Sequence, residues 1–314
     1  MGVMAAIQTT GLTKRFGDVV AVRDLNLQVN EGEVFGFLGP NGCGKSTTIN
    51  MLMDYIRPTD GTATVLGYDA QNETQAIHER IGILPDATDL YGRLSGRKHI
   101  QFAIDSKGTN EDADEILERV GLSADDASRS AGGYSKGMRQ RLVLGMALVG
   151  DPDLLILDEP SSGLDPHGVR EMRQIIQREA DRGTAVFFSS HILSQVEAVC
   201  DRVAIMNKGQ LVTVDTIDGL RDAVGTGATM VLTVDTVPNV ELTSVEGVSD
   251  MSIDGNEIHV TYSDASSKAK VINAVEQAGA TVADIRTKES SLEDLFEAYT
   301  TGSQGQRIES EAQA

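Results

Sequence analysis

The stretch Gly39-Pro40-Asn41-Gly42-Cys43-Gly44-Lys45-Ser46-Thr47 constrains this chain more than any other. It fits the pattern G-x4-G-K-[ST]. An apolar run, Val34-Phe35-Gly36-Phe37-Leu38, precedes it, and a helical pattern, Thr48-Ile49-Asn50-Met51-Leu52-Met53, follows it. Strand, glycine-rich loop and helix in that order are the context a phosphate-binding loop requires. Glycines let the backbone wrap an anion with no Cβ in the way. Successive N–H groups and the helix N-terminus then point at phosphate oxygens. Lys45 is placed to reach β- and γ-phosphates, and the Ser46 hydroxyl to sit on Mg²⁺.

The length of 314 residues has room for one large domain and a small one. A net charge of −20 repels phosphate backbones, so no nucleic-acid partner is expected. Acidic excess with few lysines suits a protein that stays soluble in strong brine, and a halophilic source is expected. Two cysteines, Cys43 and Cys200, make no disulfide framework and point to a reducing cytosol. The first ten residues lack the basic segment and apolar core of a secretory signal. No apolar run approaches the roughly 20 residues of a spanning helix. A membrane role must come through a partner.

Residues 5 to 30 read as short alternating strands, and Thr62 to Leu66 as another. From about Lys98 to Val120 the apolar spacing is helical. Gly133 to Val149 reads as a loop entering a helix. Leu154 to Leu157 is a short buried strand of the parallel type. Gly168 to Asp181 is helical, and Thr184 to Phe188 is a strand. Alternating strands and helices indicate an α/β core with a largely parallel sheet. Near Gly225 the texture changes to β-rich, with strands at Met230 to Val234, Ile258 to Tyr262 and Thr281 to Arg286. Helices at Ser267 to Gln277 and Leu292 to Tyr299 complete a small α+β domain. The expected division is 1–225, with a helical part at about 86–150, then 226–300. A disordered acidic tail is expected over 301–314.

Four further motifs narrow the chemistry. Leu154-Leu155-Ile156-Leu157-Asp158-Glu159-Pro160 ends an apolar strand in two carboxylates. Asp158 can hold Mg²⁺, directly or through water, and Glu159 can orient and polarise an attacking water. Ser161-Ser162-Gly163-Leu164-Asp165-Pro166 follows at once. Ser189-Ser190-His191 ends the next core strand, where His191 can contact a γ-phosphate and hold the water in line. Tyr134-Ser135-Lys136-Gly137-Met138-Arg139-Gln140-Arg141 offers a second anion site at a helix N-terminus. One ATP does not need two phosphate sites in one chain. A dimer does, if each copy caps the nucleotide of the other.

In this order the motifs resemble those of the nucleotide-binding subunit of ATP-binding-cassette (ABC) transporters, over roughly residues 6 to 225. The YSKGMRQR form and the trailing Ser291-Leu292-Glu293-Asp294-Leu295-Phe296 resemble the exporter-like subfamily that pairs with separate ABC-2-type permeases. The fold implied is a P-loop NTPase domain with a helical insert. The resemblance implies that Phe16 stacks on adenine. It implies that Ser135 and Gly137, with Lys136 and Met138 in place of the commoner Gly and Gln, meet the γ-phosphate across a homodimer. It implies that Asp165 organises the dimer seam. Asp86 stands where a Gln usually contacts Mg²⁺ and the water. Leu90-Tyr91-Gly92-Arg93-Leu94-Ser95-Gly96-Arg97 is similar to subunits of a copper-related transporter serving nitrous-oxide reductase maturation.

The function expected is ATP hydrolysis, with Mg²⁺, by a homodimer that powers a separately encoded membrane permease, with Pro85 to about Leu94 contacting it. The subunit would be cytoplasmic and peripheral on the inner face of the cell membrane. Two alternatives stay open. One is a soluble ABC ATPase acting on a macromolecular complex; the single cassette and the short span between Thr47 and Tyr134 count against it. The other is a non-hydrolysing ATP sensor, against which Glu159 and His191 stand.

Overall fold

The structure is a computed structural model and describes residues 5–87, 89–223, 228–238, 240–262 and 266–288. The chain divides into two compact units, Met1–Thr216 and Ile217–Ala314. Residue 225, the closing Leu292 to Tyr299 segment and the 301–314 tail lie outside the described residues.

The first unit opens with two 12-residue strands, β1 (Ala5–Phe16) and β2 (Val19–Asn30), paired antiparallel. Sequence patterning broke this stretch into shorter strands. The register shifts along the pair explain why: each irregularity interrupts the strict alternation of inward and outward residues. With β4 (Asp60–Val65) and β5 (Tyr68–Asp69) they form a four-stranded sheet in the order β2-β1-β4-β5.

A six-stranded sheet carries the rest, in the order β10-β9-β3-β8-β7-β6. Its strands are β3 (Val34–Leu38), β6 (Ile81–Leu84), β7 (Leu154–Asp158), β8 (Ala185–Ser190), β9 (Arg202–Asn207) and β10 (Gln210–Thr216). All neighbours run parallel except β10 against β9. Every residue of β3, β7 and β8 is buried. That burial on both faces is why these strands read as unbroken apolar runs. Apolar spacing signals no strand at Ile81–Leu84, yet it pairs in parallel register with β7, and its Gly82 admits close packing against the Ala147 carbonyl.

Helices α1 (Lys45–Leu52) and α2 (Thr74–Arg80) lead to a helical group. It comprises α3 (Gly96–Lys107), α4 (Ala113–Arg119), α5 (Ala124–Ser128) and α6 (Lys136–Leu148). The single helical stretch expected from Lys98 to Val120 is two helices, because Gly108 ends α3 in the left-handed conformation, φ 67. Then come α7 (Pro166–Asp181), α8 (Leu193–Glu197) and, beginning the second unit, α9 (Ile217–Ala223). Ser95, Asp112, Ser123, Ser135 and Asp165 cap their helices with side-chain acceptors.

The second unit is a four-stranded antiparallel sheet in the order β12-β13-β11-β14, with α10 (Ser267–Gln277). Its strands are β11 (Ala228–Val234), β12 (Val248–Asp254), β13 (Glu257–Tyr262) and β14 (Val282–Lys288). Strand β12 had no sequence forecast. Its side chains are half-buried or exposed throughout, so the apolar alternation that marks a core strand is missing. Met230, Leu232, Ile258, Val260, Val271 and Val275 form a separate core.

Candidate functional site

Parallel pairing brings three motifs to one edge of the six-stranded sheet. Leu38 at the end of β3 pairs with Ser190 of β8, and Asp158 at the end of β7 pairs with Ser189. The loop 39–44, Asp158-Glu159 and Ser190-His191 therefore leave the C-terminal ends of adjacent strands. Ligands of open α/β sheets bind there.

The loop is shaped by what stands behind it. A Cβ on Gly44 would lie 2.5 Å from the Ala21 carbonyl oxygen and 2.7 Å from the Met206 methyl. The same residue sits at φ 116, a conformation closed to ordinary side chains. Gly44 is also the N-cap of α1, and no side chain bonds to that helix start. The first-turn N–H groups thus lack intrahelical acceptors, as a helix terminus dictates, and face outward beside exposed Asn41, Gly42 and Ser46. Pro40 is half-buried and accepts from the Cys43 N–H at 3.2 Å, while Thr47 is half-buried on the first turn of α1. Cys43 is buried, and burial raises its thiol pKa against the opposing pull of Lys45.

Lys45 is buried, and its Nζ donates to the Gly39 carbonyl at 2.7 Å. The same ammonium lies 3.4 Å from Glu159 Oε1. Glu159 Oε2 is 2.8 Å from His191 Nδ1. Its backbone is held at φ 50, uncommon for a residue with a side chain, while its N–H donates to the Ser189 carbonyl at 3.2 Å and to the Ser189 hydroxyl at 3.1 Å. The Ser189 hydroxyl donates in turn to Asp158 Oδ1 at 2.5 Å. Sequence reading singled out His191 from this trio and passed over Ser189. A serine facing a strand-end acid carries no spacing signal. Only the β7–β8 register reveals it.

Glu159 Oε1 is buried without a hydrogen-bond partner. A carboxylate oxygen so placed is costly unless something binds it. The Lys45 ammonium, 3.4 Å away, supplies its opposite charge. Ser46 and Asp158 offer hard oxygen donors of the kind that would suit Mg²⁺. Among the described residues no group of three or more His, Cys, Asp or Glu side chains could cage a metal. A cation held by these residues would take its remaining ligands from phosphate and water, as Mg²⁺ commonly does.

The other forecast residues fall in three places. Phe16 closes the β1–β2 turn opposite Val19, and both are exposed. Asp86 is exposed just beyond β6 and makes no hydrogen bond or ion pair among the described residues. It follows β6, the strand beside β7, two residues past the Leu84–Leu157 pair. Ser135 caps α6, accepting from the Met138 N–H at 3.2 Å, and Asp165 caps α7, accepting from the Gly168 N–H at 2.8 Å. Gly137 packs on Leu164, and the Lys136 ammonium lies over Gly163. Met138 Sδ lies 3.6 Å from Arg129 Nη2.

Comparison with known proteins places these motifs in context. Residues 22–162 match the family model described as ABC transporter. The bacitracin transport ATP-binding protein BcrA of Bacillus licheniformis is 36% identical over 293 residues, covering 92% of this chain and 95% of its own. The linearmycin resistance ATP-binding protein LnrL of Bacillus subtilis (strain 168) is 31% identical over 301 residues, covering 92% and 96%. A solved structure described as the ATP binding subunit of an ABC transporter superimposes with a TM-score of 0.64 at 27% identity, over 70% of this chain and 93% of that one.

Proposed function

The chain belongs to the ABC transporter family as an ATP-binding subunit, and from that premise we propose that it hydrolyses MgATP as one half of a homodimer driving export through a separately encoded permease. The observation that carries the proposal is Glu159, held by His191 through Oε2 and facing the Lys45 ammonium through a buried Oε1 that makes no hydrogen bond.

In this reading Phe16 stacks on adenine, and residues 39–47 wrap the phosphates with backbone N–H groups. Lys45 balances charge on the β- and γ-phosphates. Mg²⁺, held by Ser46 and Asp158, supplies further charge neutralisation at the phosphate oxygens. Glu159 accepts a hydrogen bond from the attacking water and aligns it with the γ-phosphorus. His191 fixes the orientation of Glu159 through Oε2 and faces the same phosphate. Asp86, where a Gln is usual, follows the neighbouring strand β6 and would contact Mg²⁺ through water. Ser135 and Gly137, with Lys136 and Met138 around them, cap the nucleotide held by the partner copy, and Asp165 lies at the seam. Catalysis is then chiefly positioning and charge stabilisation. The test is phosphate release by the full chain. Glu159→Gln binding ATP with turnover lost supports the assignment; parental turnover in that variant removes it.

An apolar groove of about 400 Å³ supports a membrane partner. Tyr55, Ile83, Pro85, Phe102, Val143 and Met146 line it, and Tyr55 and Phe102 are 60% and 61% exposed. No helix among the described residues is long and apolar enough to cross a membrane, so attachment there goes through the permease. We take the transported compounds to be of the kind named for the bacitracin transport and linearmycin resistance relatives, which match along nearly their whole length. The copper-related reading rests on the Leu90–Arg97 and Ser291–Phe296 motifs and is second. Export assays on cells carrying both subunits separate the two. The net charge of −20 supports a halophilic setting.

A further inference from the structure

We propose that Arg141 is a positioning residue that ties helix α6 to helix α7, so that Ser135 and Asp165 of one copy are presented as a single unit. The inference rests on the two-copy reading above and goes beyond it in assigning a role to Arg141 and Glu171.

The two helices begin in the same way. Ser135 is the N-cap of α6 and Asp165 the N-cap of α7. Arg141 stands six residues after the first cap and Glu171 six residues after the second. At 1.5 Å per residue both lie about 9 Å down their axes. Arg141 Nη1 is 3.4 Å from Glu171 Oε1, so the two caps are held level. Contacts nearer the caps agree. Gly137 lies beside Leu164, and the Lys136 ammonium lies over Gly163, which sits in the left-handed region at φ 63. The helices therefore run side by side with their N-termini on one side.

Arg141 also donates from Nη1 to the Gly121 carbonyl at 2.8 Å, just past α4. One guanidinium thus joins three elements of the first unit. It does so with its side chain only 15% exposed and its Nε buried without a partner. A stabilising role would favour a residue that leaves no donor orphaned, since an apolar pair fills such space at no desolvation cost. Both contacts leave from one nitrogen, Nη1, of a rigid planar guanidinium, which ties the Gly121 carbonyl and the Glu171 carboxylate to one point. His167 Nδ1 also approaches Glu171, at 3.4 Å from Oε2, but sits on α7 itself and joins nothing to α6.

The experiment uses the full chain with Glu171→Gln, Arg141→Met and Arg141→Lys. Turnover is measured against ATP concentration, and ATP affinity of single copies is measured at high dilution with a fluorescent ATP analogue. We expect affinity unchanged within about twofold, and turnover about tenfold lower in Glu171→Gln and Arg141→Met, as displaced catalytic groups give. Sigmoidal dependence on ATP should flatten in both, and Arg141→Lys should recover part of the rate. Should Arg141→Met fail to fold, Glu171→Gln carries the test alone, since that carboxylate is one-third exposed. Ser135→Arg is the control. If it abolishes turnover while Glu171→Gln keeps the parental rate and ATP dependence, this inference is overturned and the two-copy reading stands. If Ser135→Arg itself is silent, the two-copy reading falls and takes this inference with it.

Discussion

At the residue scale the account turns on Glu159, whose two oxygens do different things. Oε2 is engaged by His191, and Oε1 faces Lys45 without a hydrogen bond. Replacing the carboxylate by the amide keeps the shape and removes the acceptor that aligns water. Turnover of Glu159→Gln should fall about 10²- to 10⁴-fold, the usual worth of a general base, with ATP still bound. Equilibrium binding and phosphate release on the same sample check this. Gly44→Ala should abolish ATP binding through backbone strain alone, since the new Cβ meets the Ala21 carbonyl at 2.5 Å in a left-handed conformation. Isothermal titration is the check. Cys43 and Cys200 are buried, and burial holds both thiols above the ordinary range, Cys200 far above it. A raised pKa means less thiolate at pH 8, and the thiolate is the nucleophile. Iodoacetamide at pH 8 should therefore label neither cysteine in the folded protein and both in denaturant, as read by mass spectrometry.

Elements decide which of those residues can meet. Ser135 caps α6, and the proposed two-copy reading gives it a second job that a substitution can part from the first. Aspartate is as good an N-cap as serine, so Ser135→Asp should leave the melting temperature within about 2 °C. Its charge would face the partner's phosphates, and turnover should fall at least about tenfold. Loss of both stability and turnover would mean the residue matters only as a cap. Most of this edge was legible from sequence, because β3, β7 and β8 are buried on both faces and announce themselves as apolar runs ending in named motifs. What stayed hidden was relational. Ile81–Leu84 is too short and too glycine-interrupted to stand out as a strand, so Asp86 had no known neighbour until register set β6 beside β7. Ser189 and Arg141 work through partners 31 and 30 residues away, and single-sequence periodicity has no reach at that distance. Strand β12 of the second unit lacked a buried face to betray it.

At the scale of the whole molecule, a charge of −20 repels itself when the chain is compact. Salt shortens the Debye length from about 10 Å at 0.1 M to about 3 Å at 1 M, which weakens that repulsion. The melting temperature should rise by about 5 °C or more between 0.1 M and 2 M KCl, followed by circular dichroism. A flat response would remove the basis for a brine-adapted reading. The central claim is that the phosphate loop of one copy is completed by Ser135 of another. The most direct measurement is ATP turnover per subunit as total protein is raised over two decades at saturating MgATP. The account predicts a rate per subunit that climbs with concentration to a plateau, and collapses when Ser135→Arg copies are present alone. A rate per subunit that stays constant with dilution, and survives in Ser135→Arg, would contradict it.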